Sequence, residues 1–302
     1  MNRFLVTGAG GMLGRDLLAV LGSRSDLSVT ATTRGDLDIR DSVAVQTAVA
    51  GHDVVINAAA WTDVDGAETQ EEAATAVNGD GVGNLARACA ATNARLIHVS
   101  TDYVFSGKAT QPYAENASTS PINAYGRSKL AGEVAVSRLL PHAGFVVRTA
   151  WLYGAHGPNF VSTMLRLAEE RERLEVVDDQ RGQPTWSRQL AALLSSLADA
   201  ALAGQAAPGV YHGTASGETT WYGLARAVFT LRGLDPDRIR PTTSDRYLRP
   251  AARPAYSVLA HRRWTAAGLP PPAHWRSALT QALAPAPASP WREPATAPLP
   301  AP

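Results

Sequence analysis

The run Tyr125-Gly126-Arg127-Ser128-Lys129 places a phenol and an ammonium four residues apart. On a helix, positions i and i+4 share one face, so the Lys129 charge is expected beside the Tyr125 hydroxyl. A neighbouring cation favours the phenolate and lowers a tyrosine pKa from about 10 toward the range of an acid–base catalyst. The spacing alone describes an exposed helix face equally well. Its weight changes because a second chemical constellation opens the chain, with Ser100-Thr101 between the two.

That constellation is Gly8-Ala9-Gly10-Gly11-Met12-Leu13-Gly14, preceded by the apolar run Arg3 to Thr7. Leu13, Leu17, Leu18 and Leu21 come next at helical spacing, so the order is strand, glycine turn, helix. Gly8 permits the tight turn, Gly11 puts no Cβ between backbone and a pyrophosphate, and Gly14 lets helix and strand pack closely. The helix amino terminus adds free N–H groups and partial positive charge for phosphates. A tight turn without a ligand is the alternative reading. Beyond the second strand, Thr30-Ala31-Thr32-Thr33-Arg34-Gly35 holds no carboxylate before Asp36. Arg34 and the threonine hydroxyls suit a ribose 2′-phosphate, so NADPH is expected, with NADH left open; Arg34 also reads as a solvated loop residue.

These groups need a scaffold that brings residues 8, 101 and 125 together. Apolar runs at Val29–Thr32, Val54–Ala58, Leu96–Val99 and Phe145–Val147 alternate with helical patterns at 42–49, 71–91 and 125–140. Short apolar strands between helices predict an α/β fold with a doubly wound parallel sheet and a smaller carboxyl-terminal substrate-binding lobe. Residues 1–150 read as the dinucleotide-binding domain. Residues 151–283 read mainly as the substrate lobe, with a helix near Ser187–Ala203 returning to the sheet. The Ala/Pro-rich stretch 284–302 reads as a disordered tail.

Within this frame, Asn57-Ala58-Ala59-Ala60-Trp61-Thr62 lies just after the third strand, where small residues admit a cofactor or simply pack the sheet. Ser100-Thr101-Asp102-Tyr103-Val104-Phe105 closes the fourth. A Thr101 hydroxyl at the carboxyl end of a parallel strand is placed to hydrogen-bond a substrate carbonyl. Thr101, Tyr125 and Lys129 then make a reductase set.

The net charge of +1, with 18% charged residues, gives no reason to expect a nucleic-acid or membrane partner. No apolar run reaches transmembrane length and the first residues form a strand, so a cytoplasmic protein is expected. Cys89, the single cysteine, sits in an Ala-rich helical stretch and reads as a packed core thiol.

With its glycine spacing that of the short-chain dehydrogenase/reductases, the chain resembles the dTDP-4-dehydrorhamnose reductase family. The likeness runs in order through Gly8–Gly14, Leu37-Asp38-Ile39-Arg40-Asp41, Asn57–Ala60, Ser100–Phe105 and Pro121–Glu133. It continues through Arg148-Thr149-Ala150-Trp151-Leu152-Tyr153-Gly154, Asp179-Gln180-Arg181-Gly182-Gln183-Pro184-Thr185 and Arg253-Pro254-Ala255-Tyr256-Ser257. The resemblance implies NADPH-dependent reduction of the 4-keto group of a dTDP-4-dehydro-6-deoxysugar. That substrate is dTDP-4-dehydro-L-rhamnose or a related antibiotic sugar such as a dihydrostreptose precursor. It implies that Tyr125 donates the proton, that Lys129 holds the nicotinamide ribose, and that Thr101, Asp102 and Trp151 contact the sugar. Trp151 reads equally as a core residue between lobes. Gly11, Met12, Leu13, Asp38, Ile39, Ala60, Trp61 and Thr62 line the cofactor in this reading. Some relatives bind Mg²⁺ through glutamates at a dimer contact; Asp16 and Arg188 stand at those positions, so no metal and a monomer or weak homodimer are expected. A dehydratase would carry a Glu where Tyr103 stands. A nucleotide-sugar epimerase and a non-catalytic NADP-binding regulatory subunit remain as rivals.

Overall fold

A computed structural model of the chain describes residues 1–284. The first half alternates: β1 (Asn2–Thr7), α1 (Met12–Gly22), β2 (Leu27–Thr32), α2 (Ser42–Val49), β3 (Val54–Asn57), α3 (Glu71–Thr75), α4 (Val82–Thr92), β4 (Arg95–Thr101), α5 (Ala124–Leu139) and β5 (Gly144–Thr149). The second half is cut finer: β6 (Leu152–Tyr153), α6 (Phe160–Glu170), β7 (Leu174–Val177), β8 (Arg181–Gly182), β9 (Thr185–Trp186), α7 (Ser187–Leu202) and β10 (Gly209–His212). It ends with β11 (Thr219–Thr220), α8 (Trp221–Leu231), β12 (Ile239–Thr242), α9 (Arg262–Ala266) and α10 (Trp275–Leu283).

Six strands make one parallel sheet in the order β2-β1-β3-β4-β5-β10. Neighbouring residues of each strand serve opposite faces. Phe4, Val6 and Ile56 join Leu17, Leu21, Leu190 and Leu194 on the side of α1 and α7. Leu5, Val55 and Leu96 join Val45, Leu85, Cys89 and Val136 on the side of α2, α4 and α5. Burial on both faces is why these strands read as unbroken apolar runs. The expected doubly wound sheet is therefore present. Cys89 lies fully inside, its thiol pushed up to about 12 by burial, which suits packing and not nucleophilic attack.

Two features differ from the sequence reading. Strand β10 pairs with β5 as the sixth strand, so the second half returns a strand as well as helix α7 to the sheet. Gly209-Val210-Tyr211-His212 is too short an apolar run to signal this; pairing with β5 creates it. The helical pattern over 71–91 is also not one α-helix. Between α3 and α4, Ala76–Gly81 forms a widened π-type turn. Asn78-Gly79-Asp80-Gly81 are weak helix formers, and such turns swing one side chain out of phase with its neighbours.

A third core lies outside the sheet, where Val161, Met164, Leu174, Val176, Leu224, Phe229, Ile239 and Trp275 pack together from α6, β7, α8, β12 and α10. The tail reading of 284–302 falls, beyond Ala284, outside the described residues.

Candidate active site

The glycine turn is the most constrained backbone of the cleft. Gly8 has φ +71°, and a Cβ there would meet Ala59 N at 2.5 Å. A Cβ on Gly14 would lie 2.2 Å from the Gly8 carbonyl oxygen, so α1 can approach β1 only as glycine. Gly11 caps α1 in an extended conformation without any side-chain cap, and the first turn holds no acid. Its N–H groups are left to bind an anion from the cleft.

That cleft, about 870 Å³, opens at the carboxyl ends of β1 and β3, where the strand order reverses. It brings together Gly8, Gly11, Met12, Leu13, Gly14, Arg34, Asp38, Ile39, Ala60, Trp61, Thr62, Tyr125 and Lys129, every residue the sequence assigns to a cofactor. Thr101, Asp102 and Trp151 do not line it.

At its outer end Arg34 is exposed. Thr33 is not free to serve a phosphate, because its hydroxyl and its N–H both donate to Asp36 Oδ2, at 2.7 and 2.9 Å. Arg40 shares this rim. It grips Asp38 from Nε at 3.0 Å, and the pairing holds the Asp38 carboxyl down to about 2. Arg15, Arg34 and Arg40 together leave this rim positive despite Asp38. Arg40 stands inside the Leu37–Asp41 segment, which was readable, but its pairing with Asp38 was not.

At the inner end, helix α5 begins where Asn123 caps it, Oδ1 accepting from Gly126 N at 2.7 Å. Asn123 Nδ2 also donates to Ala252 O at 2.9 Å, tying this helix to the 250s loop. Tyr125 lies at the cleft wall. Lys129 is buried, and its Nζ donates to Val99 O at 2.6 Å. The ammonium is therefore held on the β4 backbone, correcting the expectation that it sits on the phenol. Sharing a helix face fixes the Cβ positions and leaves the tip of a long side chain free to find a carbonyl. The expected depression of the tyrosine is absent as well. Burial raises the Tyr125 phenol, the Asp102 charge raises it further, and the Thr101 hydroxyl works the other way. Tyr125 thus keeps its proton at neutral pH, the state a proton donor needs. Lys129 is pushed down to about 8 by burial, opposed by the Glu133 carboxylate.

Thr101 ends β4, but its hydroxyl donates to Asp102 Oδ1 at 3.0 Å and accepts from Tyr103 N at 3.2 Å. Its proton is spent on a neighbouring carboxylate, a stronger acceptor than the ketone assigned to it. Asp102 is 2% exposed, its Oδ2 accepts no hydrogen bond, and burial pushes the carboxyl up to about 6, opposed by the nearby Ser257 hydroxyl and by the Thr101 hydroxyl bound at Oδ1. Tyr103 meets Tyr125 edge to face, centroids 6.0 Å apart. Trp151 has φ +46°, a left-handed backbone uncommon for so large a residue. Its indole stacks on Trp221 at 3.6 Å and packs over Gly182, leaving it half-buried in the third core.

Two residues that sequence reasoning missed hold the site's loops. Asn78, fully buried in the widened turn, accepts from Trp61 N at 2.9 Å and donates to Trp61 O at 3.1 Å and Ser128 Oγ at 3.0 Å. It thereby ties the loop after β3 to α5; its signal was an Asn and two glycines inside a helical pattern. Asp65 accepts from Arg253 Nη1 at 3.0 Å and Ala251 N at 3.2 Å, strapping the 250s loop across to the loop after β3. Asp16 is buried and accepts from Ser187 Oγ at 2.5 Å, joining α1 to α7, while Arg188 is exposed. Among the described residues, no three His, Cys, Asp or Glu side chains converge as a metal site would require, and no helix is long and apolar enough to cross a membrane.

Comparison with known proteins gives one direction. The family model described as the RmlD substrate binding domain matches residues 1–287. A dTDP-4-dehydrorhamnose reductase of Streptomyces griseus is 55% identical over 283 residues, 93% of each chain. A dTDP-4-keto-6-deoxy-D-glucose reductase of Streptomyces niveus is 54% identical over 284 residues, 93% of this chain and 96% of its own. Among solved structures, a dTDP-4-dehydrorhamnose reductase from Bacillus anthracis, in complex with NADP, has a TM-score of 0.87 at 35% identity, covering 93% of this chain and 99% of that one.

Proposed function

The chain belongs to the RmlD substrate binding domain family, and from that premise we propose that it is an NADPH-dependent reductase of the 4-keto group of a dTDP-4-dehydro-6-deoxysugar. The product is dTDP-L-rhamnose or a closely related antibiotic deoxysugar. The observation that carries this reading is the pairing, across one cleft, of an uncapped helix amino terminus with a proton-bearing Tyr125 and the Lys129 ammonium.

The residues present fit a dinucleotide. The α1 amino terminus takes the pyrophosphate, and Arg34 with Arg40 takes the 2′-phosphate. Lys129 takes the nicotinamide ribose, and Ala60, Trp61 and Thr62 flank it. When bound, the cofactor supplies hydride to the carbonyl carbon. Tyr125 supplies the proton to the carbonyl oxygen as charge develops there, contributing about two to four decades of rate. Thr101 holds Asp102 by its Oδ1, leaving Asp102 Oδ2 to accept from a sugar hydroxyl, and Trp151 sets the edge of the sugar lobe. Residues 1–150 serve the cofactor and 151–283 mainly the sugar nucleotide. The enzyme works without a metal, in the cytoplasm, as a monomer or weak homodimer; sedimentation checks the last point.

The deciding assay is NADPH oxidation with a dTDP-4-keto-6-deoxysugar and the purified protein. Stoichiometric oxidation with one reduced sugar product supports the reading. Sugar interconversion without net oxidation would make the chain an epimerase, and binding without turnover a regulatory subunit.

A further inference from the structure

Behind Lys129 lies a buried charged cluster that neither the hydride nor the proton transfer uses. Glu133, one turn further along α5, accepts from Arg148 Nε at 2.9 Å and Nη2 at 2.7 Å, and from the Ser100 hydroxyl at 2.6 Å. The Glu133 and Arg148 side chains are 6% and 4% exposed. Arg148 also donates to Glu115 O at 3.4 Å and lies over the Phe105 ring. Ser100 of β4 and Arg148 of β5 are register partners. Ser100 comes directly after Val99, whose carbonyl receives Lys129 Nζ. Two consecutive residues of β4 therefore grip two consecutive turns of α5, Val99 through Lys129 and Ser100 through Glu133.

A buried ion pair seldom stabilises a fold more than apolar residues of the same volume would. Its place here calls for another reason. Resting on the reductase reading above, we propose that Glu133, Arg148 and Ser100 form a positioning unit for Lys129, fixing the rotation of α5 that presents the ammonium to the cofactor and keeping that ammonium charged.

The groups around Lys129 leave this task to Glu133. His98 of β4 faces the ammonium but is fully buried and held well below the usual imidazole range by burial, so it is neutral. Tyr125 keeps its proton. Charges on the other segments packed against α5 are engaged elsewhere: Glu68 accepts from Ala124 N, Glu71 pairs with Arg127 on the outer face, Asp80 is exposed, and Asp102 lies beside Tyr125. Arg148 is bound at the Glu133 carboxylate, and of the two charges it is Glu133 that acts on the Lys129 ammonium.

The test is NADPH binding, titrated by fluorescence across neutral and alkaline pH, for wild type, Glu133→Gln and Glu133→Asp, with melting temperatures alongside. In wild type, affinity falls as pH rises through about 8, where free Lys129 loses its proton. In Glu133→Gln that fall begins about one to two pH units lower. Glu133→Asp keeps the charge but not the reach, so its melting temperature drops while the fall in affinity stays near wild type. A Glu133→Gln limb coincident with wild type overturns the proposal, as does an Asp variant shifted as far as Gln. Should Glu133→Gln not fold, the paired Glu133→Gln/Arg148→Gln variant leaves no unpaired charge and is read the same way. Wild-type protein that binds no NADPH at any pH overturns the reductase reading itself.

Discussion

Around the glycine turn, the cleft is made of backbone: Gly8, Gly11 and Gly14 withdraw their side chains, and the functional groups are N–H donors fixed by the start of α1. Around Tyr125 and the third core, the material is side chain: Tyr103 edge-on to Tyr125, Trp151 stacked on Trp221, and Asp65 holding Arg253. A backbone site is rigid, serves any ligand with a pyrophosphate, and is written in a few consecutive residues. A side-chain site is assembled from distant segments and can be retuned by single substitutions. The molecule thus has a general half at the cleft and a particular half beside it, and substitutions on the two sides should separate cleanly.

The sharpest separation is expected at the acid. Tyr125→Phe removes one hydroxyl, so melting temperature and NADPH affinity should hold while turnover falls by roughly two to four decades. Turnover within a few-fold of wild type would place the proton donor elsewhere. Next comes Trp151→Ala. Because its indole stacks on Trp221 within the third core, truncation should cost about 3 kcal/mol of stability and lower kcat/KM for the ketosugar. NADPH affinity should stay unchanged. A loss of NADPH affinity equal to the loss of sugar affinity would mean that the two halves are not independent, and a stability loss with intact sugar kinetics would leave Trp151 as core alone. On the backbone side, Arg34→Ala removes one charge-assisted contact worth about 1.5–3 kcal/mol. The NADPH Michaelis constant should rise about ten- to hundredfold with that for NADH nearly unmoved. Equal changes for both cofactors would shift the 2′-phosphate contact to Arg40. The smallest effect should come from EDTA treatment: Asp16 is committed to Ser187, so activity should persist. A loss restored by Mg²⁺ would reveal oxygen ligands supplied from outside the described residues.

The same contrast explains which parts were legible from the amino acids. Gly8 to Gly14, the apolar strands and the Tyr125–Lys129 spacing are local patterns with local causes, and the cleft gathers Gly8, Gly11, Gly14, Tyr125 and Lys129, which they pointed to. The hidden parts depend on partners far along the chain. Lys129 Nζ takes Val99 O, thirty residues earlier. The Thr101 hydroxyl donates a hydrogen bond to Asp102 Oδ1 inside the fold, where both are buried. Trp151 finds Trp221, and β10 becomes a strand only by lying beside β5. Periodicity reports which face of an element is buried. It does not report where the end of a long side chain comes to rest.

The widened turn at Ala76–Gly81 also sets a counting rule. An α-helix advances about 100° per residue, so a turn holding extra chain resets the phase between the helical segments on its two sides. Upstream, Ala74 is packed with Ala67 and Ala124 against Trp61 and Tyr125; downstream, Leu85 and Cys89 face the sheet. Both alignments hold only because the surplus lies between them. Exchanging a residue in this segment for another of similar size would be a local event. Removing one would tighten the helix to its ordinary pitch and rotate Ala74 and Asn78 away from the loop they support, leaving the sheet side in place. Insertions and deletions, to which surface connections are usually indifferent, should therefore be poorly tolerated in these six positions, more poorly than most substitutions there.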